Sequence, residues 1–246
     1  MRLKKKVFFL HIPKTGGEFI NNLLRKLVPD DQYLEHLQNY VHLEDKSFLE
    51  KRFLSGHIPL NRFQKITFDL EDRLIFTIIR EPYNHLISHI SWVRNLTQDP
   101  KRFNIHPKVV QDLAIKLDKI NFENAPEVEE FVNQIDGYAL AAFENRQIRY
   151  FVDPPDAEWT TSTHKCKAIE MAKQITHVGL FEEFENSVNQ ILKILDQDEN
   201  ISLDMKPINS ENKKAIQDIH AKPEIKSILY PLVCNDLELY KTFLHA

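Results

Sequence analysis

Residues 7–20, VFFLHIPKTGGEFI, restrict the fold of this 246-residue chain more than any other segment. Four apolar residues at its start predict a buried strand, and a helical pattern of apolar residues follows the loop. A strand that leads through a glycine-containing loop into a helix is an anion site, because backbone N–H groups and the helix dipole both favour negative charge. Gly16 and Gly17 allow a phosphate to approach the backbone closely, and Lys14 supplies an ammonium group. The segment therefore predicts a phosphate-binding loop.

The order of the loop residues differs from that of the Walker A motif, G-x-x-x-x-G-K-[ST], in which the lysine follows the last glycine. Here Lys14 precedes both glycines, in HIPKTGG. This order resembles the 5′-phosphosulfate loop of sulfotransferases, in the branch that contains the heparan-sulfate and dermatan-sulfate 2-O-sulfotransferases and their bacterial relatives. The resemblance implies that the donor 3′-phosphoadenosine 5′-phosphosulfate is bound at its 5′ end by Pro13, Lys14, Thr15, Gly16, Gly17 and Glu18.

A second strand–loop–helix pattern covers residues 74–90, LIFTIIREPYNHLISHI. Its apolar start predicts a buried strand that ends at Arg80, and Pro82 suits the first turn of a helix because its missing N–H is not needed there. The segment resembles the family pattern R-[DE]-P-x-x-x-x-x-S, which implies that Arg80 and Ser88 hold the 3′-phosphate of the donor. A guanidinium suits that role because its planar fork binds phosphate through two hydrogen bonds.

Between these segments, residues 54–59, LSGHIP, predict a short strand-like piece ending in His57. The family commonly has Gly-His at this place, and the resemblance implies that His57 is the catalytic base. A base is needed because the acceptor hydroxyl loses its proton as the new S–O bond forms, and histidine titrates in the range suited to that task. His11, at the strand-to-loop junction, is expected to shape the loop or contact the acceptor, and His89 to face another side of its helix than Ser88.

The resemblance implies in-line displacement at sulfur, with adenosine 3′,5′-bisphosphate as the product and no metal ion. Lys14 is the second predicted catalytic residue, because a cation beside the leaving phosphate stabilises charge that builds up in the transition state. Glu18 stands where the family usually has Thr or Ser. Three consequences are open: the Glu18 side chain points toward the acceptor cleft, it weakens donor binding, or it serves as a second acid/base group. The stretch NRQIRY at residues 145–150 resembles the family's N-x-Q-x-R-Y segment, which makes Arg149 a further predicted donor-binding residue.

Composition sets the broad class. Hydrophobic residues make up 42% and charged residues 28% of the chain, and the net charge of −4 gives no basic field of the kind that indicates nucleic acid. Two cysteines provide no disulfide framework, which suits a reducing compartment. No stretch reaches the ~20 apolar residues of a membrane span. The sequence predicts a cytoplasmic, bacterial enzyme with one domain over residues 1–246 and no transmembrane segment, and leaves its oligomeric state open.

The predicted architecture is α/β: a P-loop-like, three-layer α/β/α fold with a central, mostly parallel sheet and a largely helical C-terminal half. Residues 100–107 and 153–167 are predicted to be loops, the second either a mobile substrate loop or a plain surface connection. A late strand is predicted at 177–181, and further helices at 109–117, 128–135, 138–148, 184–195 and around 235–240.

Two alternatives stay open. One is a P-loop kinase acting on a small molecule, although the position of Lys14 and the presence of Arg80 where a kinase needs an acidic strand end argue against it. The other is a non-catalytic nucleotide-binding protein on the same fold, which Glu18 makes conceivable. The sequence leaves the acceptor open among hydroxyl-bearing glycans, lipids and small molecules.

Overall fold

A computed structural model describes residues 5–67, 72–196 and 222–244. Its strands are β1 (Lys6–Leu10), β2 (Tyr33–Leu34), β3 (Phe53–Gly56), β4 (Arg73–Ile79) and β5 (His177–Leu180). They form a five-stranded sheet in the order β2-β3-β1-β4-β5, and every neighbouring pair is parallel. The central sheet is therefore fully parallel over the described strands.

Most of the helices present one apolar face to a neighbouring layer. In chain order they are α1 (Gly17–Arg25), α2 (Leu60–Ile66), α3 (Pro82–Arg94), α4 (Pro100–Ile105), α5 (Lys108–Asp118), α6 (Ala125–Asn133), α7 (Gly137–Phe143), α8 (Arg146–Val152), α9 (Ser162–Gln174), α10 (Phe184–Ile194), α11 (Pro223–Leu229) and α12 (Cys234–Phe243).

The three layers follow from the alternation of side chains along β1. Val7 and Phe9 point to one face of the sheet, where they pack with residues of α1 and α10. Phe8 and Leu10 point to the other face, which is covered by α2, α8, α9 and α12. All four side chains are fully buried. The predicted three-layer α/β/α arrangement is confirmed.

A second core holds the helices that do not cover the sheet. Apolar residues of α3, α5, α6, α7 and α11 pack together, among them Leu86, Leu113 and Phe131. Of the described strands, only β5 lies after residue 79, so the helical character predicted for the C-terminal half is confirmed. In the part of the chain that the structure describes, no helix combines the length and the apolar composition needed to cross a bilayer.

The sheet topology brings the predicted site residues to one edge. Strand β1 has β3 on one side and β4 on the other, so the strand order reverses there. Ligands of open parallel sheets bind beyond the carboxyl ends of the strands at such a reversal. Lys14, His57 and Arg80 follow β1, β3 and β4 respectively, and the fold therefore places all three at this edge.

The prediction of a loop over residues 100–107 is wrong, because most of this segment forms α4. Asp99 caps the helix by accepting hydrogen bonds from two backbone N–H groups of its first turn, and Pro100 occupies the first helical position. Asp99 and Pro100 together are a helix start signal, whereas proline in other contexts marks a turn or loop.

Two other boundaries differ from their predictions. The single helix expected at residues 138–148 is divided into α7 and α8 by Asn145, whose φ of 42° lies in the left-handed region. The loop expected at residues 153–167 is shorter, because Thr161 caps α9 through a capping box that starts the helix at the next residue. The other predicted helices agree with the structure within a few residues.

Candidate functional site

The loop after β1 is shaped by three side chains that donate to three consecutive carbonyl oxygens, those of residues 12–14. Thr15 Oγ1 donates to the carbonyl oxygen of residue 12 at 2.8 Å, and His85 Nε2 donates to that of residue 13 at 2.8 Å. Arg80 Nη1 donates to the carbonyl oxygen of residue 14 at 3.1 Å. None of the N–H groups of residues 14–18 donates a hydrogen bond to another described residue. These amides are therefore available to an anion, and the phosphate-binding role of the loop stays a prediction.

Backbone conformation and close packing explain the loop composition. Lys14 and Gly16 both lie in the left-handed region, with φ values of 68° and 82°, so two tight bends occur within three residues. A Cβ atom on Gly17 would lie 2.0 Å from His11 Nε2. The second glycine is thus required by the His11 ring that packs against it, which agrees with the expectation that His11 shapes the loop.

His57 follows β3 directly, and two contacts orient it. Its Nδ1 lies 2.7 Å from the carbonyl oxygen of His11, and its backbone N–H donates to Gln38 Oε1 at 2.9 Å. Since a carbonyl only accepts, Nδ1 carries the proton and Nε2 carries the lone pair of the neutral ring. Burial lowers the pKa of His57 to about 4. At neutral pH the side chain is therefore an unprotonated base with a defined tautomer.

Positive charge is concentrated beside the loop. Burial, followed by the charges of Arg80 and Arg102, lowers the pKa of Lys14 to about 8, while Glu18 acts in the opposite direction. The Arg80 guanidinium stacks on the Phe181 ring at 4.4 Å, and its Nε is buried with no hydrogen-bond partner among the described residues. Burial lowers the pKa of Arg80, and two nearby carboxylates raise it. An anion bound between Lys14 and Arg80 would offset the repulsion that lowers the pKa of Lys14.

Ser88 lies on α3 three positions after His85, so both side chains occupy similar faces of the helix. The Ser88 side chain is half-buried, and its hydroxyl makes no hydrogen bond within the described ranges. His89 is buried and packs edge-to-face against Phe143, with ring centroids 5.4 Å apart. Through His85 the helix contacts the loop after β1, and Ser88 lies one turn further along.

Arg149 occupies a different environment from Lys14 and Arg80. It is 3% exposed and forms an ion pair at 2.8 Å with Glu144, which is 0% exposed. Its guanidinium also donates to the carbonyl oxygens of Pro155 and Glu158, in the loop at residues 153–161. These contacts attach that loop to α8, and the donor-binding role of Arg149 stays a prediction.

A small cleft with a volume of about 50 Å³ opens beside His57. It is lined by residues of α7, α8 and the loop after α8, including Arg146 and Tyr150. Sequence reasoning missed Arg146, because the helix was expected to continue through Asn145 and the break there resets which side chains face the site. In the part of the chain that is described, no three His, Cys, Asp or Glu side chains form a group that could hold a metal ion.

The family model described as "Sulfotransferase family" matches residues 1–243. The chain belongs to the sulfotransferase family. Membership establishes sulfuryl transfer as the class of reaction and a hydroxyl-bearing compound as the kind of acceptor, as the sequence predicted. No curated protein matches the chain, and the likeness to the 2-O-sulfotransferase branch stays a prediction.

Proposed function

We propose that this sulfotransferase uses 3′-phosphoadenosine 5′-phosphosulfate as its donor. The observation that carries the proposal is the hydrogen bond from Arg80 to the carbonyl oxygen of Lys14. This contact supports a single nucleotide site, because a donor with phosphates at both ends requires two cations within reach of one molecule. The unpaired Nε of Arg80, the free hydroxyl of Ser88 and the free amides of residues 14–18 fit those phosphates.

The bound donor would supply the sulfuryl group and a phosphate leaving group. The amides of residues 14–18 hold the 5′-phosphate, and Arg80 with Ser88 holds the 3′-phosphate. The Lys14 ammonium neutralises the charge that develops on the leaving oxygen, which stabilises the transition state more than the ground state. With these roles, the loop amides, the pair Arg80 and Ser88, and the Lys14 ammonium would each face a part of the donor that carries negative charge.

His57 accepts the proton of the acceptor hydroxyl at Nε2, while the bond from Nδ1–H to the His11 carbonyl keeps the ring in position. A base with a pKa of about 4 is weak. Negative charge nearby favours the imidazolium form and raises the pKa of a histidine. Donor binding is therefore expected to strengthen His57 as a base in the complex where the proton is transferred.

Calorimetric titration tests the donor assignment. The protein is expected to bind adenosine 3′,5′-bisphosphate more tightly than AMP, because only the former carries a 3′-phosphate for Arg80. Arg80→Met should remove about 1.5–3 kcal/mol of that preference, the range for hydrogen bonds to charged groups. Arg25→Met, at an exposed site on α1, is the matched control. Tighter binding of ATP with Mg²⁺ would instead favour the kinase alternative.

Turnover tests the catalytic roles. With labelled donor and a panel of hydroxyl compounds, His57→Ala should reduce kcat by about 10²–10⁴, the range for loss of a general base, and leave the Kd of adenosine 3′,5′-bisphosphate unchanged. Lys14→Ala should reduce kcat and also weaken the binding of adenosine 3′,5′-bisphosphate. A wild-type protein that binds the bisphosphate and transfers sulfuryl to none of the panel would favour the non-catalytic alternative.

A further inference from the structure

The side chain of Gln147 binds both main-chain groups of Arg80. Its Oε1 accepts a hydrogen bond from the Arg80 N–H at 2.8 Å, and its Nε2 donates to the Arg80 carbonyl oxygen at 2.8 Å. Arg80 follows the last residue of β4, and neither of its main-chain groups bonds to another main-chain group in the described ranges. The amide of Gln147 therefore does at this point what a neighbouring strand does within the sheet.

Gln147 is itself held in place at the start of α8. It is 1% exposed, and its backbone N–H donates to Asp236 Oδ2 at 3.1 Å, while the N–H of Ile148 donates to Oδ1 at 2.8 Å. The buried carboxylate thus accepts from N–H groups that have no partner within the first turn of the helix. Asn145 Oδ1 accepts in turn from the N–H groups of Asn235 and Asp236. Reciprocal hydrogen bonds therefore fix the start of α8 to α12.

The position of the Arg80 main chain determines where its guanidinium can lie. The side chain donates to the carbonyl oxygen of Lys14 at 3.1 Å and stacks on the Phe181 ring at 4.4 Å. The pairing of β4 with β5 ends one residue earlier, at Ile79, so the sheet does not hold the Arg80 main chain. A binding group has to be kept within about 0.5 Å of its productive position. The two bonds to Gln147 supply the constraint that the sheet no longer provides.

We propose that Gln147 is a positioning residue for Arg80: it fixes the main chain beyond β4 so that the guanidinium can bind the 3′-phosphate of the donor. The preference of the protein for nucleotides with a 3′-phosphate then depends on Gln147, although the amide of this side chain is already used by the main chain. The inference rests on the proposed function, because it needs Arg80 at the 3′-phosphate. It adds a residue on a separate helix that controls which donor is selected.

Two binding constants measured by calorimetry test the inference, one for adenosine 3′,5′-bisphosphate and one for AMP, which lacks the 3′-phosphate. The ratio of the two Kd values is the 3′-phosphate preference. Gln147→Met removes both hydrogen bonds and keeps the length of the side chain. It should lower the preference about tenfold, the effect of weakening one charge-assisted contact. The Kd of AMP should stay that of the wild type, because the loop amides assigned to the 5′-phosphate are intact.

Turnover with labelled donor and an acceptor from the panel separates positioning from general damage. In Gln147→Met the KM of the donor should rise about tenfold, while kcat at saturating donor stays that of the wild type, since Lys14 and His57 are unaffected. A purely structural role would also lower kcat and the affinity for AMP. Gln147→Asn, whose shorter amide can keep at most one of the two bonds, should lose part of the preference. It is the milder variant if Gln147→Met does not fold.

A double variant tests whether Gln147 acts through Arg80. On the background of Arg80→Met, adding Gln147→Met should leave the remaining preference unchanged, because the guanidinium that Gln147 positions is gone. The matched control is Thr176→Val, which removes a side-chain hydrogen bond at 2.9 Å to the backbone N–H of Ile75, nearer the other end of β4. This control should keep the full preference.

Failure of the inference and failure of the proposed function give different results. A wild-type protein without any 3′-phosphate preference contradicts the proposed function, and the inference falls with it. A wild-type protein that has the preference and a Gln147→Met variant that keeps it in full overturn the inference alone. The same holds for a double variant whose preference is lower than that of Arg80→Met, because Gln147 would then act independently of Arg80.

Discussion

At the scale of single residues, the lowered pKa of Lys14 predicts how donor affinity depends on pH. Its pKa of about 8 in the free protein rises when a phosphate binds, so binding above that pH takes up a proton. The Kd of adenosine 3′,5′-bisphosphate should therefore be constant near pH 7 and weaken above pH 8, by up to about tenfold per pH unit. Calorimetry in buffers of different ionisation enthalpy measures both the affinity and the proton uptake.

Lys14→Arg is the control for this titration, because arginine stays charged across the range. The variant should show no inflection near pH 8, whatever its absolute affinity. A Kd for the wild type that stays constant from pH 7 to 9.5 would contradict the assignment of Lys14 to the phosphate site.

The low pKa of His57 makes a separate prediction for catalysis. Since the pH dependence of kcat/KM for the donor reports ionisations of the free enzyme, a base with a pKa of about 4 should give no loss of this kcat/KM between pH 7 and 5. A histidine with its ordinary pKa of 6.5 would give a tenfold loss per pH unit below that value. Initial rates with labelled donor across this range decide between the two.

His85 is expected to act as a positioning residue for the phosphate loop. His85→Leu should weaken binding of adenosine 3′,5′-bisphosphate about tenfold, because the carbonyl oxygen of Pro13 loses the donor that holds it. His85→Gln should restore much of the affinity, since its side-chain amide can donate to the same oxygen. His89→Leu, a buried change one turn further along α3, is the control for packing and should leave the Kd unchanged.

At the scale of elements, the ion pair between Glu144 and Arg149 joins α8 to the loop at residues 153–161. Glu144 also accepts hydrogen bonds from the backbone N–H and the hydroxyl of Thr160. Arg149→Met should reduce the free energy of unfolding by about 3–5 kcal/mol, because it leaves a buried carboxylate without its partner. Urea denaturation measures this loss.

The double variant Glu144→Gln with Arg149→Met should be less destabilised than Arg149→Met alone, since the uncompensated charge is removed with its partner. Titration of adenosine 3′,5′-bisphosphate on Arg149→Met tests the role that the family resemblance implies. An unchanged Kd would leave Arg149 a structural residue, and a weaker Kd with normal stability would support donor binding.

At the scale of the complete chain, buried histidines predict loss of stability at mildly acidic pH. Burial lowers the pKa values of His11, His57, His85 and His89, to about 4 for His57 and about 3 for His85. Below pH 6.5 the unfolded chain protonates these residues while the native state keeps them neutral. The free energy of unfolding then falls, by at most ~1.4 kcal/mol per histidine and pH unit, toward the native pKa values.

Asp236 opposes this trend, since burial raises its pKa to about 7. Below that pH the native state holds a proton that the unfolded chain releases until about pH 4, which adds stability as the pH falls. Four histidines outweigh one carboxyl group, so urea denaturation should show a net loss between pH 6.5 and 5. Asp236→Asn should make the loss steeper, and stability that is constant over this range would contradict the neutral state of the histidines.

Local order along the chain was sufficient to predict β1, β3, β4 and β5, the loop around Lys14 and the helix after it, but not the two-residue strand β2. Apolar runs and alternation report directly on strands and faces, and glycines report on tight turns, because these features depend on neighbouring residues. The same local reasoning failed at Asn145, whose left-handed conformation accompanies hydrogen bonds between its side-chain oxygen and the N–H groups of Asn235 and Asp236. These partners lie about 90 positions away, so no local pattern indicates them.

The amino-acid order alone therefore specified the layered fold and a set of candidate phosphate-binding groups on it. It did not specify how these groups meet. His85 and Arg80 reach the loop after β1 across 72 and 66 positions of the chain, and the orientation of His57 arises where separate elements converge. Such contacts depend on how the helices pack against the sheet, because packing and not sequence spacing sets the distance between residues far apart in the chain.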